Sequence, residues 1–151
     1  MIAIEQPATT HTSSTFMGPL RDEHFDLTHQ AEIMHLVQMD QLEAARSLAQ
    51  KTAEQCPNDE ISWVMLSLVC EVQQDWFAAR TALERLRDLQ GHNIPASVQL
   101  HYIRVLHCLG EDLIAKSVLQ AAMTRWPDDQ MLRQEQQILQ LRAQPRVARV
   151  G

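Results

Sequence analysis

Seven histidines and three cysteines are the residues of this 151-residue chain best suited to chemistry, and their spacing argues against it. Two imidazoles on one helix meet a single ion when they stand at i and i+4, and His24, His29 and His35 do not have that spacing. His101 and His107, with Cys108, come nearer. Positions i and i+6, however, lie on different sides of a helix, so a zinc site there needs ligands from elsewhere. Cys70 sits among apolar residues, without the adjacent positive charge or helix N-terminus that stabilises a thiolate. Cys56, Cys70 and Cys108 are odd in number and form no Cys-x-x-Cys pair, which fits thiols in a reducing compartment better than a disulfide framework.

Other catalytic signatures are missing as well. There is no Gly-x-Ser-x-Gly, and four glycines are too few and too scattered for a phosphate-cradling loop. The acidic pairs Asp59-Glu60 and Asp128-Asp129 fall at expected helix starts, where they complement the helix dipole and do not face one another across a cleft. The expectation is a protein that is not an enzyme and uses neither metal nor cofactor.

Charge narrows the partners. A formal net charge of −6 and a pI near 5.6 disfavour general binding to a phosphate backbone, which needs a basic face, so nucleic acid is not expected. Arg142, Arg146 and Arg149 are too few to alter that. No stretch approaches 18 consecutive apolar residues, and the start MIAIEQPATTHTSSTF has neither the basic residues nor the apolar run of a secretory signal. A cytoplasmic protein with no membrane insertion is expected. At 45% hydrophobic and 21% charged, a chain of this length buries roughly 68–70% of its unfolded surface and folds without staples.

The elements that must position any site are helical. Residues 1–20 are rich in Thr, Ser and Pro and read as a polar arm. From Arg21 the period becomes helical: Phe25, Ile33, Leu36 and Val37 share one side, and Met39-Asp40-Gln41 ends the first helix. Further helices are expected over Leu42 to Gln55, Ile61 to Gln73, Trp76 to Gln90, Ser97 to Leu109, Asp112 to Arg125 and about Asp129 to Ala143. The last has one apolar side, as a terminal helix covering an array requires. Residues 144–151 read as a loose tail.

Three of these segments repeat: DQLEAARSLAQKTAEQCP from Asp40, DWFAARTALERLRDLQG from Asp75, and EDLIAKSVLQAAMTRWP from Glu111. Their small-residue anchors, Ala45, Ala79 and Ala115, are spaced by 34 and 36 residues, and Pro57 and Pro127 close two of the units. A period of about 34 residues marks a stacked helix-turn-helix array. The fold class is all-α, with about seven helices. The repeat domain covers residues 21–143, in units of about 26–59, 60–95 and 96–129 and a capping helix over 129–143.

This pattern resembles the tetratricopeptide repeat family. Calling the first helix of each pair A and the second B, the resemblance rests on Trp63 and Leu66 early in one helix A, Tyr102 in another, Gly110 at an A-to-B turn, the three alanines, Leu83 and Leu119 in helices B, and Pro57 and Pro127. The first unit departs from it, with His29 and Glu32 in place of the usual aromatic and leucine. The family implies a right-handed superhelix whose concave groove is lined by helices A. The helix-A residues outside the packing positions are Leu27, Gln30, Ala31, Met34 and Val37 in unit one. Unit two has Ile61, Val64, Met65, Leu68 and Val72, and unit three has Leu100, His101, Arg104 and His107. That surface is mostly apolar, and its two methionines adapt to irregular partners.

Some members of the family clamp the acidic C-terminal tails of heat-shock chaperones with Asn, Lys and Arg in the groove. The matching positions here hold Gln30, Met34, Met65, Ser97 and His101, so the clamp is absent. In ISWVMLSLVCEV, Ile61 to Val72, apolar residues go all round the helix. Either neighbouring helices bury it, or its groove side waits for a partner helix or strand, or the arm covers it through Ile2, Ile4, Phe16 and Met17. The function expected is a non-enzymatic interaction module binding an apolar or amphipathic segment of a partner protein. The alternative is a bacterial cytoplasmic secretion chaperone of the type III needle or translocator kind, which the acidic charge, three repeats and apolar groove also resemble. Self-association into a homo-oligomer is compatible with such a surface.

Overall fold

The computed structural model describes residues 27–143, which form seven α-helices and no strand. The arm, the onset of the first helix at Arg21 with Phe25, and the tail lie outside the described residues. The helices are α1 (Leu27–Gln38), α2 (Leu42–Gln55), α3 (Glu60–Val72), α4 (Trp76–Gln90), α5 (Ala96–Cys108), α6 (Asp112–Arg125) and α7 (Gln130–Ala143). A 3-10 turn, Gly91–Asn93, follows α4 and accommodates the two extra residues that lengthen one repeat. The chain divides into two compact units, Met1–Leu89 and Gln90–Gly151.

Local chemistry sets the helix ends. Each A-to-B turn holds one residue in the left-handed region at the equivalent place: Asp40 (φ 60°), Gln74 (φ 60°) and Gly110 (φ 77°). Beyond each, an amide reaches five residues back, Gln41 to Leu36, Asp75 to Cys70 and Glu111 to Leu106, at 2.8, 2.8 and 2.9 Å. These are the bonds of a Schellman stop, which satisfies carbonyls the helix leaves open. Three starts are capped by aspartates. Asp59 accepts from the amide of Ile61, Asp75 from Ala78 and Asp129 from Leu132, at 3.3, 3.1 and 3.0 Å.

In the first unit, α2 packs against both α1 and α3, and α1 also meets α3. Ala45, Ala49 and Ala53 of α2 are fully buried, and their small side chains leave room for the neighbouring helices to approach. Ile33, Trp63, Leu66, Val69, Ala79 and Leu83 complete much of this core. The second unit repeats the scheme. There α6 packs against α5 and α7, α7 also touches α5, and Tyr102, Ile103, Leu106, Ala115, Leu119 and Leu132 are buried. Every packing residue that carried the sequence resemblance in helices A and B is therefore inside.

Candidate partner-binding groove

Because α1 and α3 lie side by side with α2 behind them, their remaining faces form a shallow cleft of about 410 Å³. Met34 and Val37 from α1 and Met65, Leu68, Val69, Glu71 and Val72 from α3 line it. Five of these were expected from sequence: Met34, Val37, Met65, Leu68 and Val72. Exposure separates them into rim and floor. Met34 is 42%, Leu68 39% and Val72 51% exposed, whereas Met65 is only 2% exposed. Met65 lines the cleft as its buried floor and not as open surface. The all-round apolar character of α3 likewise resolves by position: Trp63, Leu66, Val69 and Cys70 are buried, and Leu68 and Val72 are not.

The other expected groove residues fall outside this cleft. Leu27 stands at the start of α1, 81% exposed, and Ala31 is also exposed. Ile61 and Val64 are half-buried on the first half of α3. In the second unit Leu100 is buried and so is a core residue, not groove surface. His101 is half-buried there.

Arg104 is committed elsewhere. Its Nε lies 3.2 Å from Oε1 of Glu135, a buried carboxylate on α7. His107 joins the same cluster, with Nε2 3.7 Å from Oε2 of Glu135 and Nδ1 3.2 Å from Asp112. The sequence reading missed Val69, Glu71 and Glu135. Repeat register was the available signal: Glu71 is one repeat after Val37, and Glu135 is one repeat after His101.

Around the first unit's cleft, ionic contacts hold the scaffold. Arg46 of α2 pairs with Asp75 at 2.8 Å and donates to Gln73 at 3.1 Å, and Gln73 donates to Glu43 at 3.0 Å. The hydrogen bond from Arg46, helped by the amide of Ala78, holds the Asp75 carboxyl below the usual carboxylate range. Burial pushes the Cys70 thiol up, against the opposing pull of Arg46. A raised, buried thiol is a poor nucleophile. No disulfide links Cys56, Cys70 and Cys108. Among the described residues no group of three His, Cys, Asp or Glu side chains could hold a metal ion, and no helix is long and apolar enough to cross a membrane.

A second cleft, of about 390 Å³, opens between α6 and α7. Leu113, Leu119 and Leu139 line it together with Lys116, Gln136 and Gln140, giving a more mixed surface than the first.

No protein-family model matches the chain, and no curated protein sequence matches it. Among solved structures, the second TPR domain of the human RPAP3 protein, determined by NMR in complex with the HSP70 peptide SGPTIEEVD, superposes with a TM-score of 0.67. The two are 11% identical, and the match covers 82% of this chain and 98% of that one. At that identity the likeness speaks for the path of the backbone. The chain has the tetratricopeptide-repeat fold.

Proposed function

We propose that this protein is a non-catalytic interaction module whose first-unit groove takes an apolar or amphipathic segment of a partner protein, in the cytoplasm and without a cofactor. One observation carries the reading: Met34, Leu68 and Val72 stand exposed together at the rim of one concave surface formed by α1 and α3. Exposed apolar side chains gathered in a cleft are the usual mark of a recognition surface, whereas scattered ones are not. The related fold of RPAP3 holds a peptide of a partner protein, which supports the same use of the scaffold here. The secretion-chaperone alternative gains no support from the comparisons.

A photo-reactive amino acid placed at Val72, compared with one at the exposed Phe77 of α4, tests this directly. A protein captured at position 72 and not at 77 is then purified and titrated against the parent chain and Leu68→Glu. Lost binding with an unchanged melting curve is the expected result. Binding that survives both Leu68→Glu and Val72→Glu overturns the assignment.

A further inference from the structure

The apolar surface of the first unit continues beyond its cleft, along α1. Leu27, Ala31 and Met34 stand at i, i+4 and i+7 on one side of that helix and all three are exposed. An apolar stripe therefore runs from the residue where α1 begins to the rim that Met34 shares with Leu68 and Val72. Ile33 is the only buried residue of α1, so this helix has little cover among the described residues.

The chain itself carries a segment that suits this surface. Residues 1–20, outside the described residues, contain Ile2, Ile4, Phe16 and Met17 and a single Asp, Glu, Lys or Arg, namely Glu5. The pair Phe16-Met17 can cover Leu68 and Val72 without drawing a charge of its own out of water. The segment is also joined to α1 at the end where the stripe starts. Reach is ample: Met34 lies about 10 Å along the helix from Leu27, while the chain from Phe16 to Leu27 extends to about 36 Å. A tether this short holds the segment beside the groove at an effective concentration on the order of 1 mM. With an intrinsic affinity of only about 0.2 mM, it leaves the groove open in about one molecule in six, and a partner binds about sixfold more weakly than to an open groove. We infer that residues 1–20 occupy the first-unit groove of the free chain through Phe16 and Met17, and that a partner segment binds by displacing them. This rests on the proposed function and adds a regulation of the same site.

The test uses the full chain throughout. Benzoylphenylalanine replacing Phe16 is irradiated in dilute protein and the products are mapped by mass spectrometry. A crosslink within one molecule to Met34 or to the Leu68–Val72 stretch is expected, and Leu68→Glu should abolish it. A fluorescent 14-residue helical peptide with one leucine face then probes the groove by anisotropy. It should bind the double variant Phe16→Ser, Met17→Ser about fivefold or more tightly than the parent chain, with no such gain for Ser13→Ala, Ser14→Ala in the same segment. Equal affinity for parent and Phe16→Ser, Met17→Ser, an equal gain in the control, or crosslinks only to α6 and α7 or only between molecules overturns the inference and leaves the groove standing. If the crosslink forms at the rim but the peptide binds neither the parent nor the Phe16→Ser, Met17→Ser variant, the inference holds and the proposed function falls alone. Neither crosslink nor binding brings down both.

Discussion

The indole Nε1 of Trp63 donates a 2.8 Å hydrogen bond to the carbonyl of Pro57, so two residues of the repeat pattern are joined across the boundary between one helix pair and the next. Ser62 adds bonds to the carbonyls of Cys56 and Asp59, at 2.9 and 2.7 Å. The chain therefore leaves α2 and enters α3 along a path fixed by side chains of α3 itself. Proline at 57 cannot continue the helix, and the tryptophan six residues later satisfies its carbonyl.

Trp63→Phe should lose this bond while keeping most of the packing, lowering stability by about 1–2 kcal/mol because a part-buried carbonyl loses its donor. Trp63→Ala should cost about 3–5 kcal/mol, since a cavity is added. Urea unfolding of both variants checks the order. Similar losses for the two would mean that the hydrogen bond carries most of the effect.

Gln74 adopts the left-handed conformation that Gly110 adopts one repeat later, at some strain for a side chain with a Cβ. Gln74→Gly should therefore raise stability by about 0.5–1 kcal/mol, and Gly110→Ala should lower it by about 1 kcal/mol. A Cβ at Gly110 meets no atom within 4 Å, so the cost there is conformational and not steric. Thermal melts of the pair, with opposite shifts in Tm, are the measurement.

Asp75 titrates below the usual carboxylate range in the folded chain because Arg46 and the amide of Ala78 favour its charged form. Its folded pKa is below its unfolded one, so its contribution is fully present above the unfolded value. It is lost as pH falls through the folded value, that is, below about pH 4. Asp75→Asn should flatten stability against pH in that acid range and leave neutral stability within about 1 kcal/mol, since the pair is part-exposed and asparagine still caps. An acid limb identical to that of the parent chain would exclude Asp75 as a source.

Glu135 is buried, with Arg104 and His107 beside it. Removing the whole polar demand should be milder than removing one partner, because a buried carboxylate left without its cation is costly. Glu135→Met is expected to change stability by less than about 1 kcal/mol, and Arg104→Ala to lower it by about 1–3 kcal/mol. Chemical denaturation gives both values, and a double mutant no worse than Glu135→Met alone would confirm the coupling.

Met65→Glu and Leu68→Glu, three residues apart on α3, should behave oppositely. The buried Met65 has no room for a carboxylate and its replacement should unfold much of the first unit, whereas Leu68→Glu leaves the charge in water. Far-UV circular dichroism during heating distinguishes them.

Helix existence, order and most boundaries were legible in the sequence, because they depend on local signals. A helix reveals itself by period, and its ends by Asp caps, prolines and turn residues that act within a few positions. The spans Leu42–Gln55, Trp76–Gln90 and Asp112–Arg125 coincide residue for residue with those observed. The recurrence of Ala45, Ala79 and Ala115 identified the packing face for the same reason: identical local geometry asks for identical small residues.

The tertiary structure alone decided which side of each helix remained open. Met65 and Leu68 look alike in sequence, and only the placement of α1 and α2 beside α3 makes one core and the other rim. Glu71 became part of the cleft, and Arg104 and His107 turned to Glu135, through contacts between residues about 30 or more apart, which no local pattern encodes. Helix formation is a property of neighbours along the chain; exposure and charge pairing belong to neighbours in space, and the fold brings these together only after the helices stack.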